Sequence, residues 1–168
     1  MKLRDIDKAV YSRRVKWVFA GMALALAVLA LVFSTLYIRL FSTPDASHFW
    51  HNLAGVATAA GVVIWILNRL RDRPWLAEVT YVWDLKQMLN RIYRKQKKIE
   101  AAAEQGDANA MQILNFQLEG SRQLYLLDDN TITLDALLIK LEANKRRMEA
   151  AGLKVDDPEL DPRLLDLY

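Results

Sequence analysis

Two histidines and an aspartate in one short segment come nearest to metal-binding chemistry in this chain. His48 and His51 are three positions apart, so both side chains would face the same way on a helix, and Asp45 precedes them. A closed metal site needs three or four ligands and hydrogen-bonded supporting groups, and two imidazoles beside one carboxylate fall short of that. We therefore interpret these side chains as solvated and expect no metal site.

Residues with the signature of a catalytic site are absent from the sequence. There is no cysteine, which excludes disulfides, thiolate metal sites and cysteine nucleophiles. There is also no Walker A loop, no GxSxG motif and no HExxH motif. The adjacent carboxylates Asp128 and Asp129 precede a helix signal, where acidic residues usually form a turn. We expect a protein that is not an enzyme, with no catalytic residue and no cofactor.

The densest run of charge lies between Arg91 and Lys98 and holds five cations. Ile92 and Ile99 belong to an apolar helical stripe, so a solvated outer face is the first interpretation of the cations. Contact with anionic lipid headgroups or with an acidic protein is the alternative, and a nucleic-acid partner is disfavoured. The candidate contact residues are the five cations, the tyrosine among them and a tryptophan earlier on the same predicted helix. They are Trp83, Arg91, Tyr93, Arg94, Lys95, Lys97 and Lys98.

Two long apolar stretches must anchor these residues. Residues 17–38 carry no charge, and at 1.5 Å per residue they are long enough to cross a hydrocarbon core of about 30 Å. Residues 49–67 form a second, shorter uncharged stretch. We predict two spans, 17–39 and 49–68, joined as a transmembrane hairpin over residues 17–68.

The distribution of Lys and Arg predicts the orientation of this hairpin. Residues 1–16 hold six cations, residues 40–68 hold no Lys or Arg, and Arg69, Arg71 and Arg73 follow at once. The positive-inside rule then places both termini in the cytoplasm. We predict a multi-pass protein of a bacterial inner (plasma) membrane, with residues 1–16 as a basic cytoplasmic segment.

Small residues recur at a spacing of four on both predicted spans. The pairs are Gly21-xxx-Ala25, Gly55-xxx-Ala59 and Ala57-xxx-Gly61. Such spacings let two helix backbones approach closely. Packing within the hairpin is the first interpretation, and an interface between two copies of the chain is the alternative.

Residues 75–155 have the pattern of a helical domain. The first helix has a coiled-coil-like stripe with steps of three and four at Val82, Leu85, Leu89, Ile92, Gln96, Ile99 and Ala103. Gly106 predicts its end, and Asp107 predicts the N-cap of a second helix over about 108–127. Thr131 or Thr133 is expected to cap a third helix, which Ala151-Gly152 closes. The third helix has its apolar face at Leu134, Leu137, Leu138, Leu141 and Met148.

The predicted fold class is all-α: a two-helix transmembrane hairpin followed by a cytoplasmic antiparallel three-helix unit. Short connections between the three helices favour antiparallel neighbours. Residues 156–168 form an acidic C-terminal tail, which either packs loosely or docks as a short helix. An isolated bundle of about 80 residues buries a small core, so docking or oligomerisation would stabilise it.

Three segments of the chain, residues 81–95, 105–110 and 126–131, carry a resemblance to a known family. On these segments the chain resembles an uncharacterised family of small two-span inner-membrane proteins from gammaproteobacteria, a domain of unknown function. The resemblance covers the whole chain and is densest from Trp75 to Thr133. It implies a location and an architecture, and it brings no activity and no site residues.

Two functions of different classes fit these patterns. The first is a non-catalytic inner-membrane scaffold or accessory subunit, which recruits a protein partner or self-assembles through its cytoplasmic helices. The alternative is a small oligomeric channel or transporter built from the hairpin. A pore needs polar residues inside the spans, and the main candidates are Ser34, Thr35, Asn52 and Thr58. The expected partners are membrane lipids together with either a homo-oligomer or a larger membrane protein complex.

Overall fold

The structure is a computed structural model that describes residues 1–43, 47–130 and 132–168 of the chain. Over these residues the fold is helical, with one isolated β-bridge between Lys2 and Glu159. The α-helices are α1 (Lys8–Phe41), α2 (Phe49–Leu70), α3 (Ala77–Tyr93), α4 (Gln96–Glu104), α5 (Ala108–Leu127) and α6 (Leu134–Ala150), with short 3₁₀ helices at Pro74–Leu76 and Pro162–Leu167. The predicted all-α class is confirmed. Asp45 and Thr131, named above as a candidate ligand and cap, lie outside the described residues.

The chain divides into two compact units. Residues 9–80 form the hairpin unit, which contains α2 and nearly all of α1. Residues 1–8 and 81–168 together form the helical unit, which contains α4, α5, α6 and most of α3. The first eight residues therefore fold with the second half of the chain, although the whole hairpin unit separates the two segments in sequence.

Helix α1 begins at Lys8, nine residues before the start of the first predicted span at Trp17. Residues 8–16 contain no glycine and no proline, so nothing in them interrupts the helix that the apolar stretch continues. The basic segment expected at residues 1–16 is thus divided, because its second half is helical and its first eight residues belong to the helical unit. Arg14 ties this part of α1 to the end of the hairpin unit through an ion pair with Glu78.

The two long helices approach most closely at Gly55 of α2. A Cβ atom at that position would lie 2.5 Å from the backbone nitrogen of Ser34 on α1, so only glycine fits there. Gly55, Ala59 and Val63 are the buried residues of α2, and their spacing of four places them along one stripe. The Tyr37 and Thr58 hydroxyls are joined by a hydrogen bond of 3.0 Å across the same pair of helices. The Gly55-xxx-Ala59 seam therefore packs within the hairpin.

The remaining surface of these two helices is apolar and exposed. Both are long and apolar enough to cross a membrane, judged by length and composition. In their most apolar stretches only 6 % and 17 % of the residues are buried. A helix that is apolar on all sides is normally enclosed, either by a protein core or by lipid. Since the hairpin unit encloses little of this surface, something outside it must cover the rest.

Helix α5 is the centre of the helical unit. It has ten buried residues, which include the unbroken run from Ile113 to Leu118, so the helix is covered on every side. Helices α4 and α6 and the 3₁₀ helix of the tail pack against it. Helix α3 meets it at Gly120, where a Cβ atom would lie 3.2 Å from the side chains of Leu85 and Leu89. The small residue allows the two helices to pack closely.

The apolar stripe predicted for the first helix of this unit is buried, but the helix is not continuous. Val82, Leu85, Leu89, Ile92, Ile99 and Ala103 all lie in the core. The helix is interrupted at Arg94 and Lys95, where the Lys95 N–H bonds to the Ile92 carbonyl three residues back. Cations three and four positions apart repel one another on a helix, which favours a break within this run. One predicted helix is therefore two, α3 and α4.

The junction between α4 and α5 has the glycine turn and the aspartate N-cap that the sequence predicts. Gly106 adopts φ +91°, a conformation that glycine takes at no steric cost. The Asp107 carboxylate accepts a hydrogen bond of 3.0 Å from the Ala110 N–H and so caps α5. This bond stabilises the ionised carboxylate and thereby lowers the pKa of Asp107. Helix α5 spans the residues that the sequence predicts.

The buried face of α6 differs in part from the predicted one. Leu141 and Met148 are buried as expected, whereas Leu138 is 38 % exposed. The buried position between Leu141 and Met148 is taken by Asn144, whose side-chain amide donates a hydrogen bond of 3.0 Å to the Met111 carbonyl. Leu138 is one residue past Leu137 and so points about 100° away from the line of buried residues.

The close approach at Gly55 predicts that a larger residue there separates α1 from α2. Gly55→Val should destabilise the protein by about 1–3 kcal/mol, because the obstructing Ser34 atoms include backbone that a rotamer change cannot move. Thermal unfolding of the detergent-solubilised protein, followed by circular dichroism, measures the effect. Gly61→Val is the matched control, since no other described atom outside its own stretch of helix lies within 4 Å of a Cβ atom at that position. Equal melting temperatures for the two variants would contradict the assigned packing.

Candidate interaction surface

The first eight residues run in extended form beside the C-terminal tail of the helical unit. The Leu160 N–H donates a hydrogen bond of 2.9 Å to the Met1 carbonyl, and the Leu3 N–H donates one of 3.4 Å to the Pro158 carbonyl. Met1 and Leu3 are half-buried, whereas Lys2 is exposed. This alternation with a period of two is the sequence pattern of an extended segment, and the sequence analysis did not use it.

Tyr81 joins this segment to two helices. Its hydroxyl accepts a hydrogen bond of 2.9 Å from the Arg4 N–H and donates one of 2.9 Å to the side-chain oxygen of Gln123 on α5. The Gln123 amide in turn donates to the Arg4 carbonyl. Tyr81 is buried, and burial raises the pKa of its hydroxyl, while the Arg4 N–H opposes part of that rise. The phenol therefore stays neutral and acts as both donor and acceptor.

The acidic pair that follows α5 lies in a turn, as the sequence suggested. Asp129 has φ +55°, and each carboxylate of the pair faces a lysine of the helical unit. Asp128 pairs with Lys86 of α3 at 2.9 Å, and Asp129 pairs with Lys8. Both acids are thus neutralised within the unit.

The C-terminal tail docks on the cationic run of its own chain. Leu160 and Leu165 are buried, and residues Pro162–Leu167 form the 3₁₀ helix. The Lys95 ammonium donates a hydrogen bond of 2.6 Å to the Leu165 carbonyl, and the Lys98 ammonium donates one of 3.0 Å to the Tyr168 carbonyl. Of the two alternatives left open above, the structure has the docked tail.

The end of the tail is held next to the cap of α5. Burial raises the pKa of Tyr168 to about 12, and the negative charge of the neighbouring Asp107 carboxylate adds to this effect. The phenol is therefore neutral at physiological pH. Two of the candidate contact residues, Lys95 and Lys98, thus bind the chain's own tail rather than face outward without a partner.

The other five candidate residues remain on the outer surface. Trp83 is 62 % exposed and Tyr93 is 69 % exposed. Arg91, Arg94 and Lys97 are exposed as well. Arg94, one residue past the end of α3, continues the line of Trp83 along that helix, and Arg91 and Tyr93 flank the line on opposite sides. We call five residues of α3, of the break after it and of the start of α4 the α3 surface: Trp83, Arg91, Tyr93, Arg94 and Lys97. It combines exposed aromatic rings with three positive charges.

Three buried amides were missed by the sequence reasoning. The Asn115 amide donates a hydrogen bond of 3.1 Å to the Val155 carbonyl, and the Asn144 amide bonds the Met111 carbonyl. The Gln117 amide donates to the side-chain oxygen of Gln96 at 3.4 Å. Their signal in the sequence is a polar residue inside an otherwise apolar helix face. They tie Val155, which directly precedes the tail, and helices α6 and α4 to α5, since an unpaired amide nitrogen would be costly there.

His48, directly before α2, and His51, in its first turn, do not form a metal site with other described residues. Their rings lie 6.4 Å apart, and His48 Nδ1 is hydrogen-bonded to the Ser42 hydroxyl at 3.0 Å. Across residues 1–43, 47–130 and 132–168, no three His, Cys, Asp or Glu side chains are grouped to hold a metal ion.

The docking of the tail on Lys95 predicts that this lysine protects the tail from proteolysis. Lys95→Ala should speed tryptic cleavage after Arg163 by roughly two- to tenfold, because one hydrogen bond contributes about 0.5–1.5 kcal/mol net. Mass spectrometry of timed digests measures the rate. Lys97→Ala removes the same charge two positions away, from an exposed side chain, and should leave the rate unchanged. Equal rates in both variants would show that Lys95 does not hold the tail.

The comparison with known families covers both compact units of the chain. The family model described as Protein of unknown function (DUF3087) matches residues 1–165. No curated protein and no solved structure matches the chain. The match extends from the extended N-terminal segment to the 3₁₀ helix of the tail, so it includes the helical unit and the apolar hairpin alike. It confirms the resemblance to a domain of unknown function, and the chain belongs to the family DUF3087.

Proposed function

We propose that the protein is a non-catalytic, membrane-anchored scaffold. In this proposal α1 and α2 cross a bacterial inner membrane as a hairpin, and both termini and the helical unit lie in the cytoplasm. The α3 surface recruits a protein partner. Each part of the proposal rests on a different observation.

The observation that carries the proposal is the composition of the helical unit. Residues 1–8 precede the two apolar helices, residues 81–168 follow them, and both segments fold into one compact unit. Two segments that hydrogen-bond to each other must lie on the same side of a membrane. The chain between them therefore crosses an even number of times, and α1 with α2 supply two crossings. The cations that flank the hairpin favour the cytoplasm as the shared side.

The exposed apolar surface of the hairpin supports a lipid environment. Leu31 on α1 is 71 % exposed and Trp65 on α2 is 63 % exposed. Every backbone amide in a spanning segment needs a partner within that segment, and two uninterrupted helices satisfy this requirement. The hairpin unit thus has the two properties that a membrane anchor needs.

The α3 surface supports recruitment of a protein. Tryptophan, tyrosine and arginine are the residues most enriched among those that dominate binding energy at protein interfaces. The α3 surface supplies all three types, with Trp83, Tyr93, Arg91 and Arg94 exposed. Its three positive charges favour a partner with an acidic surface, and such complementarity speeds association.

The alternative of a channel or transporter ranks second. Of the four polar residues that were candidates for a pore lining, Ser34 and Thr58 already make hydrogen bonds within the hairpin. The Ser34 hydroxyl donates to the Asn52 carbonyl, and the Thr58 hydroxyl pairs with Tyr37 and with the Ala54 carbonyl. Polar groups used between α1 and α2 are not available to line a conduction path.

The topology predicts opposite accessibility for two single cysteines, which the cysteine-free chain allows. With a membrane-impermeant maleimide on spheroplasts, Ser47→Cys should be labelled, because the short connection lies outside the cytoplasm. Glu142→Cys on α6 should be labelled only after lysis, because the helical unit lies inside. Both positions are exposed in the structure, so burial does not obscure the result. Labelling of Glu142→Cys in intact spheroplasts would contradict the orientation.

Recruitment predicts a position-specific crosslink from the α3 surface. A photoreactive residue in place of Asn90, which is exposed and lies on the line between Trp83 and Arg94, should give one discrete adduct in cells. Trp83→Ala should remove that adduct, and mass spectrometry identifies the partner or a second copy of the chain. The control is the same photoreactive residue in place of Glu142 on α6. An adduct of equal yield at both positions, or one that Trp83→Ala leaves intact, would refute recruitment through this surface.

A further inference from the structure

The exposed side of α3 carries a regular stripe that continues into the residue after the helix. Its members are all exposed and follow one another at steps of four, three and four: Trp83, Gln87, Asn90 and Arg94. Arg94 keeps the helical hydrogen bond, because its N–H bonds to the Asn90 carbonyl at 3.3 Å. Alternating steps of three and four are the spacing by which one helix packs along another. The stripe lies on the side of α3 that faces away from the buried residues.

The residues that flank this stripe differ between its two sides. Asp84 and Arg91 lie on one side, and Lys86 and Tyr93 lie on the other. Asp84 is half-buried and is the one acidic residue that α3 contributes to the helical unit. Lys86 is exposed and pairs with Asp128 at 2.9 Å. Each side of the stripe therefore carries two unlike residues that are one heptad apart.

The stripe is complementary to itself when a second copy of α3 runs in the opposite direction. A two-fold axis midway between Gln87 and Asn90 places each of them opposite the other residue in the second copy. The same axis places Trp83 opposite Arg94, and every contact occurs twice. The Arg94 guanidinium then meets the face of the Trp83 ring, which is a cation–π contact. The Gln87 and Asn90 side-chain amides each have a donor and an acceptor, so they bond to each other.

The flanking residues are complementary in the same arrangement. Residues on the same side of the stripe meet across an antiparallel pair of helices. On one side Asp84 meets Arg91 of the second copy, and on the other Lys86 meets Tyr93. The first contact is an ion pair, and the second places a cation beside an aromatic ring. Asp84 of the second copy thus supplies the negative charge that the cations of the α3 surface favour.

Other arrangements of two α3 helices bring like charges together. A parallel pair sets Arg94 opposite Arg94 and places Lys86 beside Arg91 of the second copy. An antiparallel pair shifted by one heptad sets Arg91 against Arg91, and a shift in the other direction sets Asp84 against Asp84. Like charges in contact oppose association, so the charge pattern favours one direction and one register.

We propose that the α3 helices of two copies of the chain pack antiparallel as the interface of a two-fold symmetric dimer. The central contacts are Trp83 with Arg94 and Gln87 with Asn90. The inference deepens the proposed function and rests on it, because it identifies the partner of the α3 surface as a second copy of the chain. One pair of short helices makes a small interface, and the confinement of both copies to one membrane raises their effective concentration.

The test uses the full-length protein in phospholipid vesicles, with Gln87→Cys as the reporter and a short bifunctional maleimide as the crosslinker. In the proposed dimer the two reporter positions are offset by about 4.5 Å along the helix axes, so a covalent dimer should form. Glu142→Cys, exposed on α6, reports random collision and should give background yield. Trp83→Ala in the reporter chain should lower the yield on the order of tenfold, because tryptophan side chains dominate the binding energy of many interfaces.

An exchange of charges tests the direction and the register of the pair. Asp84→Arg and Arg91→Asp, each in the reporter chain, should lose the crosslink when present alone, because each variant sets like charges against each other. An equal mixture of the two, carrying different tags, should regain it as a heterodimer, since both flanking pairs are then opposite in charge. Circular dichroism verifies that each variant is folded. Trp83 and Arg91 are exposed, so their substitution does not disturb the core.

Three results would overturn the inference. The first is equal crosslinking at positions 87 and 142, or crosslinking at 87 that Trp83→Ala leaves unchanged. The second is a mixture of folded charge variants that does not regain the crosslink. The third is no crosslink at 87 together with an adduct from the photoreactive residue at position 90 that has the mass of a different protein, which would leave recruitment by the α3 surface standing. Absence of both the crosslink and the adduct would overturn the inference and recruitment together.

Discussion

The buried hydroxyl of Tyr81 is the interaction on which the arrangement of the helical unit depends most. It holds the N-terminal segment through Arg4 and holds α5 through Gln123. A buried hydroxyl that both donates and accepts leaves no unpaired group behind, whereas loss of either partner would leave one. This contact brings the two flanks of the apolar hairpin into one fold. The even number of membrane crossings in the proposed topology follows from it.

The helical unit relies on a few specific polar contacts because its core is small. Helix α5 is surrounded by α4, α6 and the tail. One amide joins it to α4, one to α6, and one to Val155 directly before the tail: Gln117, Asn144 and Asn115. Aliphatic packing alone tolerates shifts along a helix axis. A buried amide that must find one particular carbonyl does not, so these contacts select the alignment of the elements.

The sequence predicted those structural features that depend on residues close together along the chain. The bounds of α5, the turn at Gly106 and the buried stripe from Val82 to Ala103 follow from spacing and cap chemistry, which act over a few residues. The docking of the tail joins Lys95 to Leu165, 70 residues later, and no local pattern encodes such a contact. For the same reason the sequence does not distinguish among the candidate contact residues. Trp83 and Arg94 are free to face outward, while Lys95 and Lys98 hold the tail.

The contact between the N-terminal segment and the tail also dictates an order of events during synthesis. Lys2 and Asp157, which pair in the finished fold, are 155 positions apart. At roughly 5–20 residues per second, the first residues wait on the order of 8 to 30 s for their partners to be made. The apolar helices leave the ribosome well before that time. If α1 and α2 cross a membrane as proposed, their insertion precedes the meeting of the two flanks, and assembly of the helical unit then closes a loop that passes through the bilayer.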